Sequence, residues 1–180
     1  SRPLLLLVAA AALHPTTAAL FLAIALVAIV VSEPPLRRPA LLAAGAAALA
    51  GLAVVAAGLS PVDPTPMDPA WRALVATKDY TFPTRWSAST WAVNLLGPLV
   101  LVTTAWARHR AGVLTPRELG LVVGCLALVA GFVLSLPLIA AGVPLAVQLQ
   151  TSRAFWPVEI VATLLLVWWL VERSGPAIQH

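Results

Sequence analysis

Three stretches of this chain, residues 4–31, 39–62 and 119–152, contain no Asp, Glu, Lys or Arg. Each is longer than the roughly 20 apolar residues that a helix needs to cross the hydrocarbon core of a bilayer. A soluble domain with such runs would have to hide them in a core and cover that core with polar groups. The polar groups are too few: of 180 residues, 61% are hydrophobic and only 10% charged, against roughly 45–50% and about 25% in soluble proteins. The mean hydropathy of +0.94 agrees. The expected fold is therefore all-α, a polytopic bundle of transmembrane helices forming a single domain over residues 1–180. Helices are favoured over a barrel because barrel strands alternate over about ten residues, whereas these runs are continuous.

Five spans are expected, at about 15–31, 40–59, 90–107, 119–136 and 155–171. Residues 4–13 precede the first; as helix they would rise only about 15 Å, too little to span, and read as a half-helix. The chain opens Ser-Arg-Pro-Leu at the edge of an apolar run and lacks the cleavage region of a secretory signal. It thus reads as the C-terminal fragment of a longer chain whose N-terminal part is a partner of this one. The second span is rich in Ala and Gly, residues that let helices approach closely in lipid.

The loops set an orientation. Segment 32–38 carries Arg37 and Arg38 against Glu33, and 107–118 carries Arg108, Arg110 and Arg117 against Glu118. Basic residues concentrate on the cytoplasmic side. These two segments and the C-terminal tail are therefore expected inside. The balanced loop 60–89, the uncharged loop 137–152 and Arg153 are expected outside. Trp156 and the Trp168-Trp169 pair fit aromatic belts at the two ends of the last span. Within the long loop, Asp68 followed by Pro69 predicts an N-cap and first helical residue. Trp71, Leu74 and Val75 then share a face opposite Arg72 and Asp79. A short interfacial helix over 68–78 follows, with Trp71 and Leu74 towards lipid.

A net charge of +4 from eleven basic residues makes no nucleic-acid surface. The one cysteine, Cys125, lies in an apolar run and reads as a small buried hydrophobe. No metal-ligand spacing, glycine-rich phosphate loop or nucleophile elbow occurs, so neither a metal nor a cofactor is expected.

Candidate chemistry concentrates in three places. The first is Gln148 to Glu159. Here Thr151 or Ser152 is expected to cap the last helix, whose positive end attracts anions. Arg153 adds a fork of donors suited to phosphate or carboxylate, with Gln150 and Trp156 beside it. Arg153 equally suits snorkelling to lipid headgroups. Glu159 is an ionisable group within an apolar run and therefore a functional candidate; the alternative is that it pairs with Arg153 or stays protonated. The second place is His14-Pro15-Thr16-Thr17, where the imidazole either relays a proton or contacts an anion, or else caps loose backbone groups at a helix break. The third is Lys78 to Trp86, where Asp79 suits a base and Lys78 or Arg85 an anion ligand, or where the segment is a solvated loop anchored by aromatics.

The apolar run broken at His14-Pro15, the outer loop with Lys78-Asp79-Tyr80 and Trp86, and the segment Gln148 to Trp156 together resemble the C-terminal half of bacterial multi-spanning glycosyltransferases of the GT-C type. The resemblance implies a lipid partner, a polyprenyl-phosphate-linked sugar, used on the outer face of the inner membrane. It implies that Arg153 binds the carrier phosphate, with Gln150, Trp156 and His14 around it. Such enzymes usually carry their catalytic acid in a first outer loop near the N-terminus. No such loop is found in this chain, so a non-catalytic relative fits as well. Two rivals stand beside this reading: a transporter or flippase component with His14, Arg153 and Glu159 along a polar path, and a structural subunit without chemistry. A transporter predicts paired broken helices, and the sequence has no internal repeat.

Overall fold

The computed structural model describes residues 14–58 and 65–174; the expected half-helix at 4–13 and the C-terminal tail fall outside them. The described residues form an all-α bundle without strands. Its elements are α1 (Pro15–Ser32), α2 (Pro34–Ala56), α3 (Pro69–Val75), α4 (Ala88–Arg110), α5 (Pro116–Ala140), α6 (Pro144–Gln148) and α7 (Phe155–Ser174). Short 3₁₀ turns occupy Asp79–Thr81, Pro83–Arg85 and Thr151–Ala154. Four spans are long and apolar enough to cross a membrane: Pro34–Val54, Ala88–Arg110, Pro116–Ala140 and Pro144–Ser174. The apolar part of α1, Thr16–Ser32, is shorter. The chain is an integral, multi-pass membrane protein.

The helix ends follow local chemistry. Asp68 caps α3 as expected, its Oδ1 accepting from Trp71 N at 2.8 Å, with Pro69 in the first turn. Ser87 caps α4, and Thr115 with Glu118 forms a reciprocal capping box on α5. Two expected boundaries are corrected. Arg37 and Arg38 are not in a loop but in the first turns of α2, because Pro34 and Pro35 start that helix rather than interrupt it. Arg37 Nε reaches back to donate to Val30 O at 2.8 Å, satisfying a carbonyl in the last turn of α1. Pro137 does not end α5, which continues to Ala140. Proline is tolerated inside membrane helices, where hydroxyls and neighbouring helices take over freed backbone groups. One turn earlier, Ser135 Oγ donates to Phe132 O at 2.7 Å.

Within lipid there is no water to drive helices together, so close packing does much of the work. Glycines show where it is closest. A Cβ placed on Gly120 would lie 2.8 Å from Ala28 O, and one on Gly124 would lie 2.6 Å from Ile24 O. The backbones of α1 and α5 therefore touch along this half of their crossing. Gly97 of α4 receives the stem of Glu159 in the same way, at 2.7 Å from its Cγ. Ile24, Leu101, Val122, Cys125 and Val158 form the buried centre shared by α1, α4, α5 and α7. Helix α2 packs on α1 and is otherwise exposed.

At one end of the bundle Arg108, only 1% exposed, is held by Glu118 Oε1 at 2.7 Å and by Glu172, with its guanidinium over Trp169. It joins α4, α5 and α7. Arg117 Nε donates to Glu33 at 2.8 Å, linking α5 to the α1–α2 turn. The opposite end is built from the loops. Met67, Phe82, Ile139, Ala146 and Val147 make one apolar cluster there. Trp86, Trp91, Phe132 and Phe155 make another, with ring centroids 5.0–6.3 Å apart. Trp71 and Val75 pack onto the first cluster while Leu74 is exposed. Of the two residues expected towards lipid, Trp71 is thus turned to the protein, because α3 lies across α6 and the end of α5. Arg72 Nη2 fixes α3 by donating to Ala140 O at 2.7 Å.

Candidate functional site: an arginine and a histidine over an apolar cleft

The first turn of α1 places His14 at the loop end, and the 3₁₀ turn Thr151–Ala154 brings Arg153 to it. Arg153 Nη1 stands 3.5 Å from His14 Nε2, although 139 positions separate them in the chain. The other ring nitrogen, Nδ1, is 3.0 Å from Thr17 Oγ1. His14 makes no side-chain cap bond to the α1 backbone. Its ring is oriented by the hydroxyl on one side and meets the guanidinium on the other.

Arg153 also lies 5.9 Å from the ring centroids of both Tyr80 and Trp156, within cation–π range. Among the described residues no carboxylate is within ion-pair distance of it. Glu159 in particular does not pair with Arg153. It lies on the exposed side of α7 against Gly97, beside Trp156, Ile160 and Thr163. That separation follows from the helix: six residues are well over one turn and rotate the side chain by roughly 120°.

Gln150 acts through its backbone. Its φ of 46° is left-handed, and Arg153 N donates to its carbonyl at 2.8 Å. This turn sets the direction in which Arg153 leaves the chain. Neither expected cap on α7 is made. Thr151 Oγ1 is 2.7 Å from Ser135 Oγ, and Ser152 Oγ donates to Tyr80 O at 3.0 Å. The 3₁₀ turn runs directly into α7, so both hydroxyls are free to tie α5 and the long loop to this segment. Pro157 sits at the third position of α7, where a missing N–H is harmless.

Below this polar cluster opens a cleft of about 580 Å³ between α1 and α5. Ala19, Ala23 and Val27 line one side, and Gly124, Ala127 and Gly131 the other. Thr16, Thr151 and Ala154, the neighbours of His14 and Arg153, stand at its polar margin. A Cβ on Gly131 would meet nothing within 4 Å, in contrast to Gly120 and Gly124. The helices touch at those two glycines and leave space between them further along. His14 and Arg153 are legible in the sequence as candidates, whereas this cleft is not. Its signal was the four-residue spacing of Gly120 and Gly124, a small-xxx-small contact, which predicts where α5 meets another helix but not which one.

Lys78 and Arg85 are brought together elsewhere, around a separate cavity with Phe82, Trp86 and Ser87. The side chain of Asp79, expected as a base, is outside the described parts. Among the described residues no three of His, Cys, Asp and Glu converge to hold a metal ion. No protein-family model matches the chain, and neither a curated protein nor a solved structure matches it.

A guanidinium and an imidazole over an apolar slot suit an amphiphile. Forked donors and a ring suit an anionic head, and small-residue walls suit an apolar chain.

Proposed function

We propose that this chain is the membrane part of a GT-C-like glycosyltransferase or of a non-catalytic relative, and that it holds a polyprenyl phosphate on the outer face of a bacterial inner membrane. The phosphate lies against Arg153 and His14, Trp156 and Tyr80 flank it, and the first isoprenoid units enter the cleft between α1 and α5. The part assigned to these residues is binding rather than bond cleavage.

The observation that carries the reading is the meeting of Arg153 with His14, the one next in the chain to Ala154 and the other near Thr16, both of which line an apolar cleft. A snorkelling arginine needs no such neighbour and no cleft beneath it. The orientation draws support from Arg37, Arg38, Arg108, Arg110, Arg117 and Arg173 gathering at the end opposite the site, as cytoplasmic ends do.

The test is a titration in nanodiscs, comparing a phosphorylated polyprenol with the neutral alcohol. Arg153→Ala is expected to weaken phosphate binding by about 1.5–3 kcal/mol, as a charge-assisted contact would, and to leave the alcohol unaffected. Arg153→Lys keeps the charge but loses the fork, and falls between the two. Equal phosphate affinity of wild type and Arg153→Ala would reduce Arg153 to a headgroup anchor.

A further inference from the structure

The Arg153 site leaves unused a second basic constellation at the loop end. Lys78 and Arg85 line a cavity of about 350 Å³ together with Ala76, Phe82, Trp86, Ser87 and Thr90. Arg85 stacks over Phe82, its guanidinium carbon 5.4 Å from the ring centroid, and Arg72 stands 5.6 Å from the same ring. Arg72 is committed to the Ala140 carbonyl. Arg85 and Lys78 make no ion pair among the described residues. The floor of the cavity is the start of α4, where Ser87 Oγ is 2.8 Å from Ser89 Oγ and 2.9 Å from Thr90 Oγ1.

From this arrangement we infer that the Lys78–Arg85 cavity is a phosphoryl-binding site separate from the one at Arg153. Several independent contributions converge on one small space. A planar fork of donors matches two oxygens of a phosphoryl group, and an ammonium adds a point charge. The hydroxyls of Ser87 and Thr90 line the same space at the start of α4, where Ser87 Oγ already accepts from Thr90 N at 3.2 Å. The Phe82 ring holds the Arg85 guanidinium by cation–π contact, which limits the freedom lost on binding. Trp86 forms a wall, so occupancy is reported by its fluorescence. The phosphoryl group belongs either to a soluble compound or to a lipid headgroup, since the cavity lies at the loop end of the bundle.

The experiment uses the whole protein in maltoside micelles, which contain no phosphate. It is titrated with inorganic pyrophosphate and, separately, with micelles doped with phosphatidic acid, reading tryptophan fluorescence and ³¹P line width. Wild type is expected to bind at least one probe, more weakly as salt rises. In an Arg153→Ala background, which silences the first site, Lys78→Gln with Arg85→Gln is expected to lower that affinity at least tenfold and Arg85→Lys to lower it less. Binding of pyrophosphate supports a soluble source, and binding of phosphatidic acid alone supports a headgroup. The inference is overturned if neither probe binds in that background, or if adding the Lys78 and Arg85 substitutions to it leaves binding unchanged. The Arg153 reading fails on a different result, the polyprenyl phosphate titration, so the two are judged separately.

Discussion

Gln150 shows how a single residue shapes the candidate site through its backbone. A left-handed conformation costs a non-glycine residue roughly 1–2 kcal/mol, and such strain persists where surroundings enforce it. Here the Arg153 N–H and the Ser135–Thr151 hydroxyl pair hold the turn. Gln150→Gly is expected to relieve the strain and raise stability in detergent by up to about 1 kcal/mol, with the position of Arg153 retained. Gln150→Val is expected to lower stability, since a β-branched side chain fits this conformation least. Thermal unfolding of the two variants checks the order; a Val variant as stable as the Gly variant would remove the turn from the account. The sequence singled out Gln150 by its neighbours, but a positive φ leaves no mark in residue type unless the residue is Gly or Asn.

Among the elements, the α1–α5 pair sets two fates for the same substitution. Leucine at Gly124 drives a side chain into the Ile24 carbonyl, a backbone atom that cannot step aside. Gly124→Leu is therefore expected to separate the helices at a cost of about 1–3 kcal/mol, read from unfolding in denaturing detergent. Gly131→Leu, two turns further along the same face, enters open space and is expected to fold normally while reducing retained polyprenyl phosphate several-fold, read by mass spectrometry of extracted lipid. Similar lipid retention in Gly131→Leu and wild type would show that the chain lies elsewhere. The helices themselves were legible in the sequence, because a bilayer demands long uncharged runs and this chain has them. Their ends were less so. Pro137 reads as a stop by rules learned in water, and Pro34 as a loop, whereas one lies inside a lipid-exposed helix and the other begins one. The encounter of His14 with Arg153 was legible only as a shared side of the membrane. Which two residues touch depends on how α1 crosses α5, and that is fixed by glycines near the other end of the contact.

For the whole molecule, sidedness is the first test. With Cys125 buried, a cysteine introduced at Thr65 is expected to react with an impermeant maleimide in intact cells, and one at Arg38 only after permeabilisation. The reverse pattern would invert the topology and put the Arg153 site on the cytoplasmic face. The second test concerns what joins the spans. Arg108→Ala takes the ion-pair partner from a part-buried Glu118, which keeps its bond from Thr115 N, and is expected to cost about 1–3 kcal/mol. Arg117→Ala, at an exposed pair, is expected to cost less than about 1 kcal/mol. Detergent unfolding that finds the two equal would make the Arg108 cluster ornamental. That cluster also has a consequence for biosynthesis. Arg108 and Glu118 leave the ribosome ten positions apart, so the arginine meets its first carboxylate as soon as the α4–α5 turn forms, whereas Glu172 follows 64 positions after Arg108. Until the last helix is made, Arg108 has one carboxylate partner rather than two, and one of the three helices it joins is missing. The arrival of α7 brings the second carboxylate and, with Trp169, the last wall around the guanidinium.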